Sequence, residues 1–305
     1  MQELKLIEPY PLFGPGSELF PDSPEKPEGT ISVTWQDRTD GAMINVSADV
    51  IYQSLSGEDQ HMHIFTPMDM FAMPGTAPKK YPLLVYVPGS AWHRQNLWMG
   101  LDKARFFASE GYAVAIVEYR PSDIAPYPAQ IEDAKAAIRY LKEHAQQYSI
   151  DTDRIGLWGD SSGGHTVVSV AVTEPELAKC VVDWFGPTDI ALMNYYPSAM
   201  DHHGADSPEG FLLGKVEVFD NLELAQKVNP INYLSAEKAL PPFLIMHGSM
   251  DNVVPFNQSV RLYEKLMKLG KNATFYRLEG AGHGTGGFNS DECFNVVLEW
   301  LTEHL

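Results

Sequence analysis

Three short segments of this 305-residue chain carry side chains that could act together in nucleophilic catalysis. The first, Gly159-Asp160-Ser161-Ser162-Gly163-Gly164, directly follows the apolar run Ile155–Trp158 and directly precedes a helical pattern. Between a strand and a helix, G-x-S-x-G has a mechanical meaning: a strained turn lifts the serine hydroxyl clear, and small neighbours let strand and helix approach. A serine hydroxyl is a weak nucleophile at its own pKa and needs a base, which in turn needs an orienting acid. Both occur later in the chain. Asp251 lies in Gly248-Ser249-Met250-Asp251-Asn252-Val253-Val254-Pro255, after the run Phe243–His247, and His283 lies in Gly280-Ala281-Gly282-His283-Gly284, after the run Ala273–Tyr276. Each is expected in a loop at the carboxyl end of a strand, where an open α/β sheet keeps its site. Taken singly, a loop Asp is most often a cap and a loop His incidental; it is their types, order and placement together that carry weight. Asp189 also follows a strand and is the second choice for the acid, while His247, His202 and His203 are competing histidines.

An oxyanion developing on the attacked carbonyl needs preorganised N–H donors. One is expected from Ser162, the residue after the nucleophile, and the others from the loop Val87-Pro88-Gly89-Ser90-Ala91-Trp92. Sequence does not rank Gly89, Ser90 and Ala91 among themselves. His165 is expected to pack or hydrogen-bond under the turn, Asp160 to point away toward Arg120 or a backbone amide, and Glu118, Tyr119 and Arg120 to buttress the site. Trp92, Trp98, Trp184, Tyr195 and Tyr196 read mostly as core or lid aromatics, with Trp92, Tyr195 and Tyr196 the candidates to touch substrate.

The elements that must hold these loops are legible from Tyr81 onward. The short apolar runs Leu83–Val87, Ala113–Val117, Ile155–Trp158, Cys180–Phe185, Phe243–His247 and Ala273–Tyr276 suit parallel strands buried on both faces. Between them lie helical patterns near Leu101–Glu110, Ala129–Gln147, Ser162–Val172, Asn257–Leu269 and Asp291–His304. In the second of these, Ile131, Ala134, Ile138, Leu141 and Ala145 share one face. Alternation of this kind predicts one doubly wound α/β domain over residues 31–305. Before it, the segments Ile31–Trp35 and Met62–Phe65 read as antiparallel edge strands, and the Pro-rich residues 1–30 as an extended arm. Residues 187–234 break the rhythm and read as a lid-like insertion.

Composition narrows the partners. With 22 Lys and Arg against 40 Asp and Glu, the formal charge of −18 opposes binding to nucleic acid or an anionic membrane. Two cysteines, Cys180 and Cys293, make neither a disulfide framework nor a metal quartet, so neither metal nor cofactor is expected. No stretch reaches the roughly 18 apolar residues of a membrane span, and the start lacks a secretion signal. A cytoplasmic location is the expectation, with secretion through a removed signal left open, as is oligomeric state, a homodimer included.

On these residues the chain, from about Ser32 to Leu305, resembles the α/β-hydrolase-fold serine esterases. It is close to the group holding hormone-sensitive-lipase-like enzymes and bifunctional feruloyl and acetylxylan esterases. The resemblance rests on Gly159-Asp160-Ser161-Ser162-Gly163-Gly164-His165, Tyr119-Arg120 with Tyr127-Pro128-Ala129-Gln130, Asp251-Asn252-Val253-Val254-Pro255 and Gly282-His283-Gly284. It departs at Pro88-Gly89-Ser90-Ala91-Trp92, where the family often has His-Gly-Gly-Gly-Trp. What it implies is hydrolysis of short acyl, acetyl or feruloyl esters through an acyl-enzyme, on a small-molecule or carbohydrate-linked substrate. The same fold also serves amide-cleaving enzymes of the arylformamidase or peptidase type, which is the alternative.

Overall fold

The computed structural model describes residues 43–68 and 79–305. The extended arm expected over residues 1–30 and the strand expected at Ile31–Trp35 lie outside the described residues. Eight strands form one sheet in the order β1-β2-β4-β3-β5-β6-β7-β8. Strand β1 (Ile44–Leu55) pairs antiparallel with β2 (Glu58–Pro67), and β2 antiparallel with β4 (Ala113–Val117). From β4 onward the sheet is parallel, through β3 (Tyr81–Val87), β5 (Ile150–Asp160), β6 (Cys180–Trp184), β7 (Phe243–Gly248) and β8 (Ala273–Leu278).

Side-chain alternation explains why the central strands are apolar throughout. Leu83, Val85 and Val87 enter one core, while Leu84 and Tyr86 enter the other. Strand β7 repeats this, with Phe243 and Ile245 on the first face and Leu244 and Met246 on the second. The first face is covered by α2 (Ala129–Glu143), α3 (Ser162–Thr173) and α6 (Asn257–Lys268), through residues such as Ile138, Val168 and Leu262. The second is covered by α1 (Leu101–Ser109) and α7 (Asp291–His304), through Phe107, Phe294 and Leu301. Each buried aliphatic or aromatic side chain contributes roughly 1.5–3 kcal/mol, so the two cores hold the loops above them rigidly.

Three strands differ from the sequence expectations. Met62–Phe65, expected as an edge strand, lies inside β2 and is flanked by β1 and β4, because β1, a strand not expected from the sequence, covers that side. Strand β1 has no clean period of two, because register shifts fall between Ser47 and Val50 and between Ile51 and Gln53, with Asp49 at φ 52°. Strand β8 closes the sheet, and its residues are only half-buried or exposed, not covered on both faces as its apolar run suggests. Residues 187–234 contain two short helices, α4 (Pro208–Leu212) and α5 (Leu222–Val228), with single 3₁₀ turns between irregular stretches. Among the described residues, no helix is long and apolar enough to cross a membrane.

Candidate active site

Ser161 occupies the single residue between β5 and α3, at φ 53° and ψ −126°. A non-glycine residue in that region stores about 1–3 kcal/mol of backbone strain and persists only where its surroundings impose it. Here they do. The Ser161 N–H donates to Trp184 O at 2.9 Å on the neighbouring strand, and its carbonyl accepts the His165 N–H at 3.0 Å. The turn also needs Gly163: a Cβ there would stand 1.9 Å from Val87 O.

The structure brings Ser161, His283 and Asp251 into one hydrogen-bonded line. His283 Nε2 is 3.1 Å from Ser161 Oγ, and His283 Nδ1 is 2.8 Å from Asp251 Oδ2. A carboxylate only accepts, so Nδ1 carries the ring proton and Nε2 is left with a lone pair facing the serine hydroxyl. The Asp251 side chain is fully buried. Its Oδ1 accepts the N–H groups of Val253 at 2.8 Å and Val254 at 2.9 Å. His247 Nε2 stands 3.3 Å from Oδ2 and 3.0 Å from the Val254 carbonyl, so its Nε2–H is shared between them. Burial pushes the Asp251 carboxyl up, but His247, His283 and the loop amides together hold it well below the usual carboxylate range. These contacts favour the ionised form of the acid. His247, a competing histidine in the sequence, supports the acid from behind. Asp189, the second choice for that role, is turned elsewhere, accepting from Arg261 at 3.1 Å and Asn229 at 2.9 Å.

The loop after β3 folds around a ring of hydroxyls. The Ser90 N–H donates to Ser162 Oγ at 2.9 Å, Ser162 Oγ is 3.0 Å from Tyr119 Oη, and Tyr119 Oη is 3.1 Å from Ser90 Oγ. Ser90 Oγ donates to His93 O at 2.6 Å. That donation fixes the direction of the others: Tyr119 donates to Ser90, and Ser162 to Tyr119. Burial raises the Tyr119 phenol to about 12, so it keeps the proton this ring requires. Of the oxyanion candidates, the Ser90 N–H is thus engaged by Ser162 Oγ. Among the described residues, the N–H groups of Ala91 and Ser162 donate to no other group. Ala91 and Trp92 both sit at positive φ, 53° and 57°, in the region that glycine adopts most readily. Gly89 packs directly against Ser161, since a Cβ there would be 2.7 Å from the serine Cβ.

Two cavities adjoin this arrangement. A small one, with about 20 Å³ of free volume, is lined by Ala91, Trp92, Ser161, Ser162, Met193 and Val254, among others. A larger cleft of about 300 Å³ is lined by Gly89, Asn96, Lys103, Asp160, Gly284 and Asn289, among others. Trp92 thus lines the small cavity, but its indole N–H donates to His165 Nδ1 at 3.2 Å, and His165 Nε2 donates to Val228 O at 3.0 Å. Burial lowers His165 to about 4, which keeps it neutral in this bridging role under the turn. Tyr195, 70% exposed, meets Phe219 at a tilt, and neither it nor Tyr196 lines either cavity. Asp160 meets the Tyr86 hydroxyl and not Arg120, whose guanidinium instead clamps the buried Asp133 at 2.8–3.1 Å.

Some contributors were not visible in the sequence. Gln95 accepts the Tyr119 N–H at 2.9 Å and donates to Pro88 O at 2.5 Å, pinning the β3 loop to β4's end. Nothing in its local pattern announces this. Among the described residues, no group of three or more His, Cys, Asp or Glu could hold a metal ion.

Comparison with known proteins places the chain and its fold. A truncated form of a carbohydrate esterase from gut microbiota is 31% identical and covers 87% of this chain and 97% of its own, with a TM-score of 0.71. A bifunctional GH43-CE protein of Bacteroides eggerthii is 29% identical over 85% of this chain and 38% of its own, also with a TM-score of 0.71. In sequence, Esterase LipC of Mycobacterium tuberculosis is 26% identical over 229 residues, 71% of this chain and 56% of LipC. The chain spans about half the length of the curated relatives it matches. The BD-FAE profile matches residues 68–266. With its mostly parallel eight-stranded sheet flanked by helices, the chain has the α/β-hydrolase fold and belongs to the BD-FAE family.

Proposed function

We propose that the protein is a serine carboxylesterase that removes short acyl groups, acetyl foremost, from carbohydrate-linked or other small alcohols. The observation that carries this is the unbroken line Ser161 Oγ, His283 Nε2 and Nδ1, Asp251 Oδ2, with contacts of 3.1 and 2.8 Å. In the first half-reaction, Oγ bonds to the ester carbonyl carbon while its proton passes to His283 Nε2. The carbonyl oxygen becomes an anion facing the Ala91 and Ser162 amides, each such donor being worth about 3 kcal/mol in the transition state. The carbon–oxygen bond to the alcohol then breaks, and the alcohol leaves with the proton from Nε2. Water repeats the sequence on the acyl-serine and releases the acid. Asp251 stays ionised throughout and holds the imidazole in the tautomer that can accept.

The small size of the cavity beside Ser161, about 20 Å³, supports a short acyl group in preference to a cinnamoyl one. The kinship with carbohydrate esterases and the polar cleft next to His283 support a sugar-linked alcohol. A panel of 4-nitrophenyl acetate, butyrate and octanoate, methyl ferulate, acetylated xylan and N-formylkynurenine tests this. Acetyl esters should be the best substrates. A preference for ferulate would refute the acyl assignment, and a preference for the formamide would refute the ester assignment.

A further inference from the structure

The insertion at residues 187–234 reaches the acid of the catalytic line through the backbone of the acid's own loop. Asp251 Oδ2 faces His283 and His247, whereas Oδ1 is held by the amides of Val253 at 2.8 Å and Val254 at 2.9 Å. Each amide shares a peptide plane with the carbonyl of the residue before it, so the Val253 N–H turns with Asn252 O and the Val254 N–H with Val253 O. The insertion takes both carbonyls. Asn252 O accepts the Ala199 N–H at 2.6 Å, and Val253 O accepts the Ser198 hydroxyl at 2.9 Å and faces His202 Nε2 at 3.0 Å. A carbonyl oxygen only accepts, so His202 Nε2 carries a proton and donates it. On the far side of the ring, His202 Nδ1 is 2.9 Å from Glu209 Oε1, and both side chains are 2% exposed, so the imidazole is fixed by partners at each nitrogen.

We propose that His202 is a positioning residue for the catalytic acid: by holding the Val253 carbonyl it aims the Val254 N–H at Asp251 Oδ1, and so keeps Oδ2 on His283. This rests on the esterase function proposed above. A shift of Val253 O would swing the Val254 N–H away from the carboxylate, and a carbonyl polarised by a donor makes the N–H of the same peptide a better donor in turn. Glu209 acts one step further back, by fixing the ring. From Glu209 through His202, the Val253–Val254 peptide, Asp251 and His283 to Ser161, the successive contacts are 2.9, 3.0, 2.9, 2.8 and 3.1 Å. The insertion is on this account part of the machinery that orients the base, besides walling the small cavity.

The two ring nitrogens separate this role from packing alone. His202→Gln places an amide nitrogen near Nε2, keeping the donor to Val253 O and losing the Glu209 contact. His202→Asn places one near Nδ1, keeping the Glu209 contact and stopping short of Val253 O. The test compares both variants and Ser198→Ala with wild type, by kcat and KM for 4-nitrophenyl acetate, melting temperature, and the downfield proton resonance of His283 Nδ1–H, assigned by its loss in His283→Ala. Both His202 variants should melt lower than wild type, but only His202→Asn should lose kcat, by about tenfold or more with KM nearly unchanged, as misplacement of a catalytic group does. Its downfield resonance should shift or broaden, and His202→Gln should retain both the rate and the resonance of wild type. Equal losses of kcat in the two variants, or wild-type kcat and resonance in His202→Asn, overturn the inference. Should neither His202 variant fold, Ser198→Ala decides: it removes one of the two side-chain donors to Val253 O and should lower kcat by about threefold with a displaced resonance, and no change in either overturns the inference. If wild type cleaves no ester, the esterase function falls, and the resonance in the variants alone decides whether His202 positions Asp251.

Discussion

The two cavities at the site differ in size, lining and bracing. The one containing Ser161 itself is about 20 Å³ and is bounded by backbone held in left-handed conformations at Ala91 and Trp92, braced by the Ser90–Ser162–Tyr119 ring and by the indole bridge to His165. The cleft reaching Gly284 is about 300 Å³ and is lined by longer polar or exposed side chains, such as Lys103, Asn289 and Met99, the last 79% exposed. On the proposed function, shape selects the acyl group and adaptable polar contacts receive the alcohol. A rigid wall can discriminate by a methylene or two, whereas a wide polar cleft tolerates variety and tunes binding.

The comparison has meaning only if the serine between the cavities is the reacting atom. Replacing its base is the severest way to break it: His283→Ala should lower kcat for 4-nitrophenyl acetate by at least about 10⁴-fold while leaving the melting temperature nearly unchanged. Steady-state kinetics beside a thermal melt checks this. Next in size, Met200→Ala opens the small cavity at its half-exposed rim. Relative kcat/KM for butyrate over acetate should rise by about tenfold, corresponding to one or two methylenes of apolar contact. On the other side, Lys103→Ala and Asn289→Ala should raise KM for acetylated xylo-oligosaccharides by about three- to tenfold, with kcat/KM for 4-nitrophenyl acetate nearly unaffected. A uniform loss across both substrates would erase the proposed division between the cavities.

The smallest effect concerns the floor beneath both. Asp183 is fully buried, with Oδ1 accepting the Gly186 N–H at 3.0 Å and packed against Gly164 of the serine turn. Burial raises its carboxyl to about 7, the Gly186 N–H opposing this only in part. An unfolded Asp titrates near 4. Its contribution to stability is thus complete below about pH 4 and is lost as pH rises to about 7. Asp183→Asn cannot titrate, so its melting temperature should gain a few degrees on wild type between about pH 5 and about pH 8, measured by calorimetry.

Much of this site was legible in the sequence because its chemistry is written in local order. Ser161, Asp251 and His283 each follow a run of apolar residues, and a parallel sheet must bring such loops to one edge. The central strands were legible for the same reason, being apolar on both faces, whereas β1, interrupted by two register shifts, was not. What stayed hidden depends on contacts between distant segments. Ser90 looked as suitable an oxyanion donor as Ala91 until Ser162 Oγ, 72 residues away, was seen to take its N–H. The His202–Glu209 pair, the His247 support of Asp251 and the Gln95 clamp are of the same kind, since no local pattern marks a side chain whose partner lies on another element. Tyr195 and Tyr196, chosen for type alone, line neither cavity.

The most direct test of the central claim is the site of covalent capture. The protein is incubated with an alkyl fluorophosphonate small enough for the small cavity, digested, and mapped by mass spectrometry. A serine hydrolase with this geometry is predicted to take up one phosphonyl group, on Ser161, at a rate abolished by His283→Ala, with activity lost in proportion to labelling. No adduct at Ser161, or an adduct there that leaves ester turnover intact, would contradict it.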